Sequence, residues 1–273
     1  MNEYEISIVP VIEANYDRLT QVEKNIADFF IANTENMDFS AKNLAEKLFV
    51  SEASLSRFAK KVGYAGYREF LYNYQSTFLQ KKQNIQEDTK VVFNTYQELL
   101  NKSYSLIDEE QMERVVKLIS EKKRIYVYGF GGSGLAAQEF RFRFMRLGLD
   151  IEAVTDFHLM MMNDARIHED CLVIAISISG QTKEVIDALK KASGKGASTI
   201  LITSRNDERF LKRFDEVVLA AVKQNLEYGN VISPQFPILV LIDTIYKNFL
   251  KVDQDAKQAI YYETVQKIVG RYD

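Results

Sequence analysis

An apolar segment that leads directly into a helical pattern constrains the fold of this 273-residue chain more than any other feature. The segment Leu172–Ile178, in which only Ser177 is polar, ends in the small residues of the sequence SISGQT. Apolar residues then recur at the spacing of one helix face, at Val185, Ile186, Leu189 and Ala192. A short, almost wholly apolar strand that runs into a helix is typical of a parallel sheet buried on both faces. The segment therefore predicts an α/β domain.

The junction between this strand and the helix is also a candidate anion site. The free N–H groups of the first helical turn and nearby side-chain hydroxyls can converge on one phosphate. Three hydroxyl residues stand at the junction: Ser177, Ser179 and Thr182. The alternative is an ordinary turn in which Ser179 caps the helix. Capping accounts for only one of the three hydroxyls.

The second half of the chain alternates between strand and helix patterns. Strands are expected near residues 124–129, 150–154, 171–177, 198–203 and 216–221. Helices are expected between them, near residues 134–147, 156–165, 182–193 and 207–213, and then at about 236–251 and 254–270. Five strands with intervening helices predict a doubly wound, five-stranded parallel sheet.

The first of these strands ends in a second small-residue loop, GFGGSG at Gly129–Gly134. Its spacing differs from the G-x-G-x-x-G of dinucleotide sites, and no acidic residue clearly ends the second strand, so NAD is disfavoured. Gly132 lets the backbone approach a ligand closely, and Ser133 offers a hydroxyl at the helix start. The first and third strands of such sheets are commonly neighbours, so this loop is expected to face the same crevice as SISGQT. Two hydroxyl-lined loops in one crevice favour phosphate.

The charge distribution changes sign within the N-terminal region. Residues 1–38 contain eight acidic and two basic residues, whereas residues 39–68 contain six basic and two acidic residues. This local reversal suggests a surface directed at a polyanion, although the net charge of the whole chain is only −3.

The same region shows two short helices separated by a tight break. The helical sequence AKNLAEKLF is followed by the break and by EASLSRFAKKVG, with Ser51 as the N-cap and Gly63 as the C-cap of the second helix. The buried stripe of that helix is predicted at Leu55, Phe58, Ala59 and Val62. Two helices joined in this way predict a helix-turn-helix within an all-α N-terminal domain.

The exposed side of the second helix has the chemistry of a DNA-binding face. The candidate contacts are Ser51, Ser54, Ser56, Arg57, Lys60 and Lys61, with Ser54 on the flank. Arg57 can reach a guanine edge or a phosphate, and the two lysines suit phosphates, where only charge is needed. The alternative is a helical hairpin whose exposed face happens to be basic.

The polar, weakly periodic stretch around residues 80–90 marks a domain boundary. We expect a helix-turn-helix domain at 1–79, a linker and connecting helix at 80–107, and the α/β domain at 108–273. The single cysteine, Cys171, fits a reducing cytoplasm and is expected to be a packed thiol. With only two histidines, a structural metal site is improbable, and no cofactor is expected. No apolar run has the length of a membrane-spanning helix.

The motifs together resemble a known family. VYGFGGSGLAAQEF and VIAISISGQTKEVIDALKKA are similar to the sugar-isomerase (SIS) domain. LTQVEKNIADFF and FSAKNLAEKLFVSEASLSRFAKKVGYAGYREF resemble the helix-turn-helix of the RpiR family of bacterial transcription regulators. The two similarities cover nearly the whole chain in the family's domain order. The resemblance implies a cytoplasmic, oligomeric (homodimeric or homotetrameric) regulator that binds operator DNA and senses a phosphorylated sugar.

The resemblance also implies which residues hold the phosphate. Carried over by position, the contacts are Ser133, Ser177, Ser179 and Thr182, with Gly180 and Gln181 contributing backbone or side-chain contacts. The chain departs from the family pattern at Ser233–Pro237, where a polar start to the closing helix is common in the family. Pro234 suits a helix beginning. The contacts to the far end of the sugar are left undefined by this departure.

A phosphosugar aldose–ketose isomerase is the competing class. That reaction needs a base, commonly Glu, and a group that opens the ring, commonly His. The candidates are Glu227 and His158, and neither lies in a motif that specifies such a role. His158, beside Leu159 and three methionines, is expected to be a packed helix residue. An isomerase has no need of a helix-turn-helix, so we expect a regulator and not an enzyme.

Overall fold

The computed structural model describes residues 7–78, 86–222 and 232–269. The chain divides into two compact units, Met1–Gln86 and Glu87–Asp273. The helix expected to connect the domains belongs to the second unit, where its Tyr96 packs edge-to-face on Phe236 with ring centroids 4.6 Å apart. Among the described residues, no helix is both long and apolar enough to cross a membrane.

The first unit is all-helical over its described part. Its helices are α1 Val9–Ala14, α2 Gln21–Ala32, α3 Ala41–Leu48, α4 Glu52–Lys61 and α5 Tyr67–Phe78. Helix α1 was not predicted, because six residues are too few to establish a period. It is stabilised by tertiary packing, since Ile12 is fully buried against the core of this unit.

The core of the first unit is built around Phe30 of α2. Its ring lies 4.7 Å from those of Phe70 and Tyr74 in edge-to-face geometry and is stacked 6.0 Å from that of Phe58. Aromatic pairs of this kind add to the free energy gained by burying their area. Phe58 is on α4 and Phe70 on α5, so this cluster fixes the orientation of α4 within the unit.

The second unit is an α/β domain, as predicted. Its helices are α6 Glu87–Leu106, α7 Glu109–Glu121, α8 Gly132–Met145, α9 Phe157–Asn163, α10 Lys183–Gly194, α11 Glu208–Leu211, α12 Phe236–Lys251 and α13 Gln254–Val269. Its strands are β1 Arg124–Gly129, β2 Ile151–Val154, β3 Cys171–Ile176, β4 Ser198–Thr203 and β5 Glu216–Leu219. All pair in parallel in the order β2-β1-β3-β4-β5. The predicted adjacency of the first and third strands is confirmed.

Both faces of this sheet are covered. Successive strand residues point to opposite faces, so Ile125 and Val127 pack beneath α7, α8 and α12. Tyr126 and Tyr128 pack on the other side, against residues of α9, α10 and α11. Cys171 is fully buried in this second layer, which confirms the packed thiol. The strand order reverses between β1 and β3, and a crevice opens at the carboxyl ends of strands at such a point.

Helix α12 begins at Phe236, as the sequence predicted, but Pro234 lies outside it. Pro237, and not Pro234, lies in its first turn, where the missing proline N–H costs no helical hydrogen bond. Pro234 instead lies in the turn that precedes the helix, which Phe236 N–H closes by donating to the Ser233 carbonyl at 3.3 Å.

Candidate functional sites

The loop between β3 and α10 brings two of the predicted hydroxyls together. Ser177 follows the last residue of β3 and is buried, and its Oγ donates to Thr182 Oγ1 at 3.3 Å. Its own N–H donates to the Ile202 carbonyl of the neighbouring strand at 3.0 Å, which anchors the start of the loop to the sheet. The start of the loop is therefore fixed to the sheet, and the side chains of Ser177 and Thr182 link its two ends.

The helix-cap alternative for Ser179 is not what the structure shows. The N-cap of α10 is Thr182, and its side chain makes no capping hydrogen bond. Ser179 is exposed, and its Oγ accepts from the Gln181 N–H at 3.2 Å within the loop. The first turn of α10 thus begins without a side-chain cap of its own. A helix N-terminus of this kind favours an anion.

Gly180 has both a conformational and a steric reason to be glycine. Its φ is +61°, a left-handed conformation that L side chains rarely adopt. A Cβ atom there would lie 3.1 Å from Phe210 Cε2, 3.2 Å from Thr203 Oγ1 and 3.3 Å from Arg205 Cβ. The loop is therefore packed tightly against the end of β4, a contact that the sequence did not reveal.

The loop between β1 and α8 is equally compact. A Cβ atom at Gly129 would lie 2.4 Å from the Ser133 carbonyl oxygen, and one at Gly134 would lie 3.1 Å from Thr155 Cγ2. At Gly129 only glycine permits this close approach of strand and helix, and at Gly134 a side chain would crowd Thr155. Gly132 and Ser133 open α8, and the Ser133 N–H donates to the Phe130 carbonyl at 3.1 Å. The Ser133 side chain is half-buried at the helix start.

The register of the sheet sets both loops at one level. Gly129, the last residue of β1, pairs with Ile176, the last residue of β3. The glycine loop and the SISGQT loop therefore leave adjacent strands at the same edge of the sheet. The start of α12 also reaches this edge, since Gln235 Nε2 lies 3.4 Å from where a Cβ of Gly132 would be. Gln235 was not predicted as a site residue, because its contact with the loop spans about a hundred residues of sequence.

The residues considered for catalysis give a divided result. Glu227 lies outside the described residues. His158 was predicted to be packed, and this was wrong: it is exposed on α9, where its ring lies 5.7 Å from that of Phe157. Asp156 caps α9 by accepting from the Leu159 N–H at 3.0 Å. Among the described residues, no group of His, Cys, Asp and Glu could hold a metal ion.

In the first unit, the helix-turn-helix has the predicted caps. Ser51 is the N-cap of α4, and its Oγ accepts from the Ser54 N–H at 3.1 Å. Gly63 follows the helix with φ +100°, and its N–H donates to the Lys60 carbonyl. The Tyr64 N–H donates to the Ala59 carbonyl at 3.0 Å, which completes a Schellman motif. The predicted stripe Leu55, Phe58, Ala59 and Val62 is buried, which confirms the orientation of α4.

The candidate DNA-binding residues do not all face solvent. Arg57, Lys60 and Lys61 are exposed and Ser56 is half-buried, but Ser54 is buried. The Ser54 and Ser51 hydroxyl oxygens lie 2.8 Å apart, and Arg57 Nη2 donates to Ser54 Oγ at 2.9 Å. The flank position predicted for Ser54 therefore needs correction: its hydroxyl orients Arg57 and is not free on the surface.

Lys61 is held by a residue that the sequence reasoning did not include. Its Nζ lies 2.6 Å from Oε2 of Glu23, a buried carboxylate on α2. The same oxygen accepts from the backbone N–H and the hydroxyl of Thr20, both at 2.8 Å. Burial alone would raise the pKa of Glu23, but the hydrogen bonds from Lys61 and Thr20 outweigh it and lower that pKa. The capping-box spacing of Thr20 and Glu23 is the sequence signal that could have indicated a structural role for Glu23.

Comparison with known families identifies both units. A model of the rpiR-family helix-turn-helix domain matches residues 6–81, and a model of the SIS domain matches residues 117–239. A helix-turn-helix unit followed by a SIS domain defines a class of two-domain transcriptional regulators. The chain belongs to the RpiR family of these regulators.

Individual relatives agree with this placement over most of the chain. An uncharacterised HTH-type transcriptional regulator of Clostridium perfringens is 28% identical over 260 residues, which cover 90% of this chain and 93% of that protein. The HTH-type transcriptional regulator RpiR of Escherichia coli K12 is 24% identical and covers 88% of this chain and 85% of its own. The structure of Vibrio vulnificus NanR complexed with ManNAc-6P has a TM-score of 0.62 at 23% identity, covering 97% and 98% of the two chains, and so shows the same fold.

Proposed function

We propose that the chain is a cytoplasmic, DNA-binding regulator of carbohydrate metabolism whose SIS domain senses a phosphorylated sugar. The observation that carries the proposal is the presence in one chain of an exposed basic helix and a hydroxyl-lined strand end. Arg57 on α4 is presented to solvent and oriented by Ser54. Ser177 and Thr182 meet at the uncapped start of α10.

The phosphate is assigned to the carboxyl edge of β1 and β3. Ser179 and Gln181 are exposed there, and the first turn of α10 supplies a positive helix end. Ser133 and Gly132 stand at the start of the neighbouring helix α8. A sugar phosphate supplies the dianion that such a site stabilises, and the solved relative NanR is complexed with a phosphorylated sugar, ManNAc-6P.

The sugar-sensing half is tested by a thermal-shift screen of hexose and pentose phosphates. A ligand that binds only the folded state stabilises it by about 2.7 kcal/mol at a concentration of 100 Kd. Ser179→Ala should remove most of this shift, whereas Ser105→Ala, an exposed serine on α6, should leave it intact. The proposal fails if no phosphosugar raises the melting temperature, or if both variants respond like the wild type.

The DNA-binding half is tested by affinity for promoter DNA from the host genome. Arg57→Ala should weaken binding about 5- to 150-fold, since a good arginine–base contact contributes about 1–3 kcal/mol. Arg18→Ala is the matched control, an exposed arginine of the same unit in its acidic stretch. Affinity that does not fall with rising salt would contradict DNA binding, because neutralised phosphates release counterions.

The absence of catalysis is part of the proposal. Phosphosugar isomerase activity is assayed with the same compounds that pass the thermal-shift screen. If turnover is observed and Glu227→Gln abolishes it, the chain is an enzyme. It would then be an enzyme either instead of a regulator or in addition to being one.

A further inference from the structure

The end of β4 holds the SISGQT loop through one backbone carbonyl. The Ile178 carbonyl accepts from the Ser204 N–H at 2.9 Å and from the Ser204 hydroxyl at 2.8 Å. It also accepts from the Thr203 hydroxyl at 3.2 Å. A carbonyl oxygen has two lone pairs, so one or two donors would satisfy it. The donors from two consecutive residues therefore fix the direction of this carbonyl more firmly than satisfaction alone requires.

The hydroxyl of Thr203 is itself held in a single orientation. Thr203 is fully buried, and its Oγ1 accepts from the Arg205 N–H at 3.2 Å. Because the oxygen accepts from Arg205, its own hydrogen is available for the Ile178 carbonyl. The same Oγ1 would lie 3.2 Å from a Cβ atom at Gly180, so this hydroxyl is in contact with the loop.

A fixed carbonyl also fixes the N–H group of the same peptide unit. The C=O and N–H of a planar trans peptide point in opposite directions, and the described residues contain no cis peptide bond. The Ile178 carbonyl points toward β4, so the Ser179 N–H points away from β4. Strands β4 and β1 lie on opposite sides of β3. The Ser179 N–H is therefore directed to the side on which the glycine loop leaves β1.

This N–H group is available to a ligand. Among the described residues the Ser179 N–H donates to no acceptor, whereas the next two N–H groups are used within the loop. Gly180 donates to the Ser177 carbonyl at 2.9 Å, and Gln181 donates to Ser179 Oγ at 3.2 Å. Ser179 is exposed, so an anion can reach it. An N–H that is already aimed at an anion needs no rearrangement when the anion binds.

We propose that Thr203 and Ser204 are positioning residues of the sugar-phosphate site, which hold the Ile178 carbonyl and thereby aim the Ser179 N–H at the phosphate. Neither residue touches the phosphate in this arrangement. The end of β4, to which no motif assigned a role, thus takes part in ligand binding. This inference rests on the proposed function, because it requires a phosphate to bind at the SISGQT loop.

Calorimetric titration of the full chain tests the proposal, with inorganic phosphate and with the phosphosugar that gives the largest thermal shift. Thr203→Val combined with Ser204→Ala, the hydroxyl-free variant, leaves only the Ser204 N–H on the Ile178 carbonyl. It should weaken both ligands at least about tenfold, because a misaligned N–H loses a hydrogen bond to a charged group. Ser204→Ala alone leaves the buried Thr203 unchanged and should weaken them by an intermediate factor.

Two control variants separate the hydroxyls from a general loosening of the domain. Thr203→Ser combined with Ser204→Thr keeps both hydroxyls and should bind within a few-fold of the wild type. Ser193→Ala removes a contact of the same kind elsewhere, since Ser193 Oγ donates to the Arg213 carbonyl at 3.3 Å. It should bind like the wild type. The proposal is wrong if the first control is as weak as the hydroxyl-free variant, or if Ser193→Ala loses as much affinity.

The Ser179 amide resonance gives a readout that a merely structural role would not change. With selective ¹⁵N-serine labelling, this resonance is identified by its loss in Ser179→Ala. It should move downfield when inorganic phosphate saturates the wild type, and it should move less in the saturated hydroxyl-free variant. Equal shifts in the two proteins would contradict the aiming of this N–H, and so would a wild-type resonance that does not move.

The outcomes distinguish this inference from the proposed function. A wild-type chain that binds a phosphosugar, together with a hydroxyl-free variant of unchanged affinity, would refute the positioning role and leave the sensor intact. A wild-type chain that binds no phosphosugar would refute the sensor itself.

Discussion

Phe49 in the turn of the helix-turn-helix shows how one residue departs from its local rules. It follows α3 with φ +54°, a left-handed conformation that glycine usually supplies at this position, and it is 96% exposed. The Val50 N–H donates to the Ala45 carbonyl at 2.9 Å, and Phe49 N–H donates to the Glu46 carbonyl at 3.3 Å. The turn is therefore a Schellman motif formed without its glycine, and the backbone bears the strain.

Phe49→Gly is expected to raise the free energy of unfolding by about 1 kcal/mol, because the left-handed penalty of a non-glycine residue is removed. Urea denaturation measures the change. Phe49→Ala is the matched control: it removes the ring but keeps the strained backbone, so its stability should stay near that of the wild type. If alanine stabilises as much as glycine, the gain comes from removing an exposed ring and the strain argument is wrong.

Residue types in the two sites were predictable, but their environments were only partly so. The hydroxyls of Ser177 and Thr182 could be assigned to one loop because they lie within six residues of sequence. The burial of Ser54 could not, because it depends on whether that hydroxyl turns toward Ser51 and Arg57 or toward solvent. Sequence spacing places a residue on a helix flank and does not decide its rotamer.

At the scale of elements, one carboxylate joins α4 to the rest of its unit. Glu23 on α2 accepts from Thr20 at the start of its own helix and from Lys61 at the end of α4. The lowered pKa of Glu23 means that the folded state favours the ionised form. The resulting stability is present above the unfolded pKa, about 4.3, and is lost as the pH falls through the lower folded pKa.

Glu23→Gln should therefore reduce the free energy of unfolding by about 1–2 kcal/mol at pH 7, because the cap weakens and Lys61 loses its partner. The difference from the wild type should shrink as the pH falls from 5 to 3, because Glu23 is protonated more readily in the unfolded chain and its protonation then favours unfolding. Glu46→Gln, on the exposed side of α3, serves as the control and should have no effect at either pH. A Glu23→Gln deficit that is independent of pH would mean that packing, and not charge, makes the contribution.

Strands and helices were predicted well where the apolar pattern was long enough to fix their location. The strand that ends at Ile176 could be located because six consecutive buried residues leave no other place for it. The start of α12 was predicted correctly, but the place of Pro234 was not, because a proline fits both a turn and a first helical turn, and Ser233–Pro237 contains two. Only the packing of Gln235 on the glycine loop distinguishes these alternatives.

At the scale of the molecule, the two units carry different chemistry on different surfaces. The first unit presents Arg57 and Lys60, and the second presents Ser179 and Gln181. Order along the chain and composition were sufficient to predict two such units. Their influence on each other cannot be derived from either unit, because coupling is a difference in free energy between states and not a property of one site.

Linkage nevertheless fixes the form that this influence must take. If the effector sugar phosphate changes the operator affinity by some factor, the operator must change the sugar affinity by the same factor. For a coupling free energy of about 1–3 kcal/mol, that factor is about 5 to 150.

Titrating DNA with and without saturating sugar, and sugar with and without saturating DNA, measures the two factors independently. Ser179→Ala should weaken sugar binding and leave the DNA affinity of the sugar-free protein unchanged, which separates damage to the sensor from damage to the fold. If neither ligand changes the affinity for the other, sugar and operator bind independently. A chain with that behaviour cannot regulate transcription in response to a sugar phosphate.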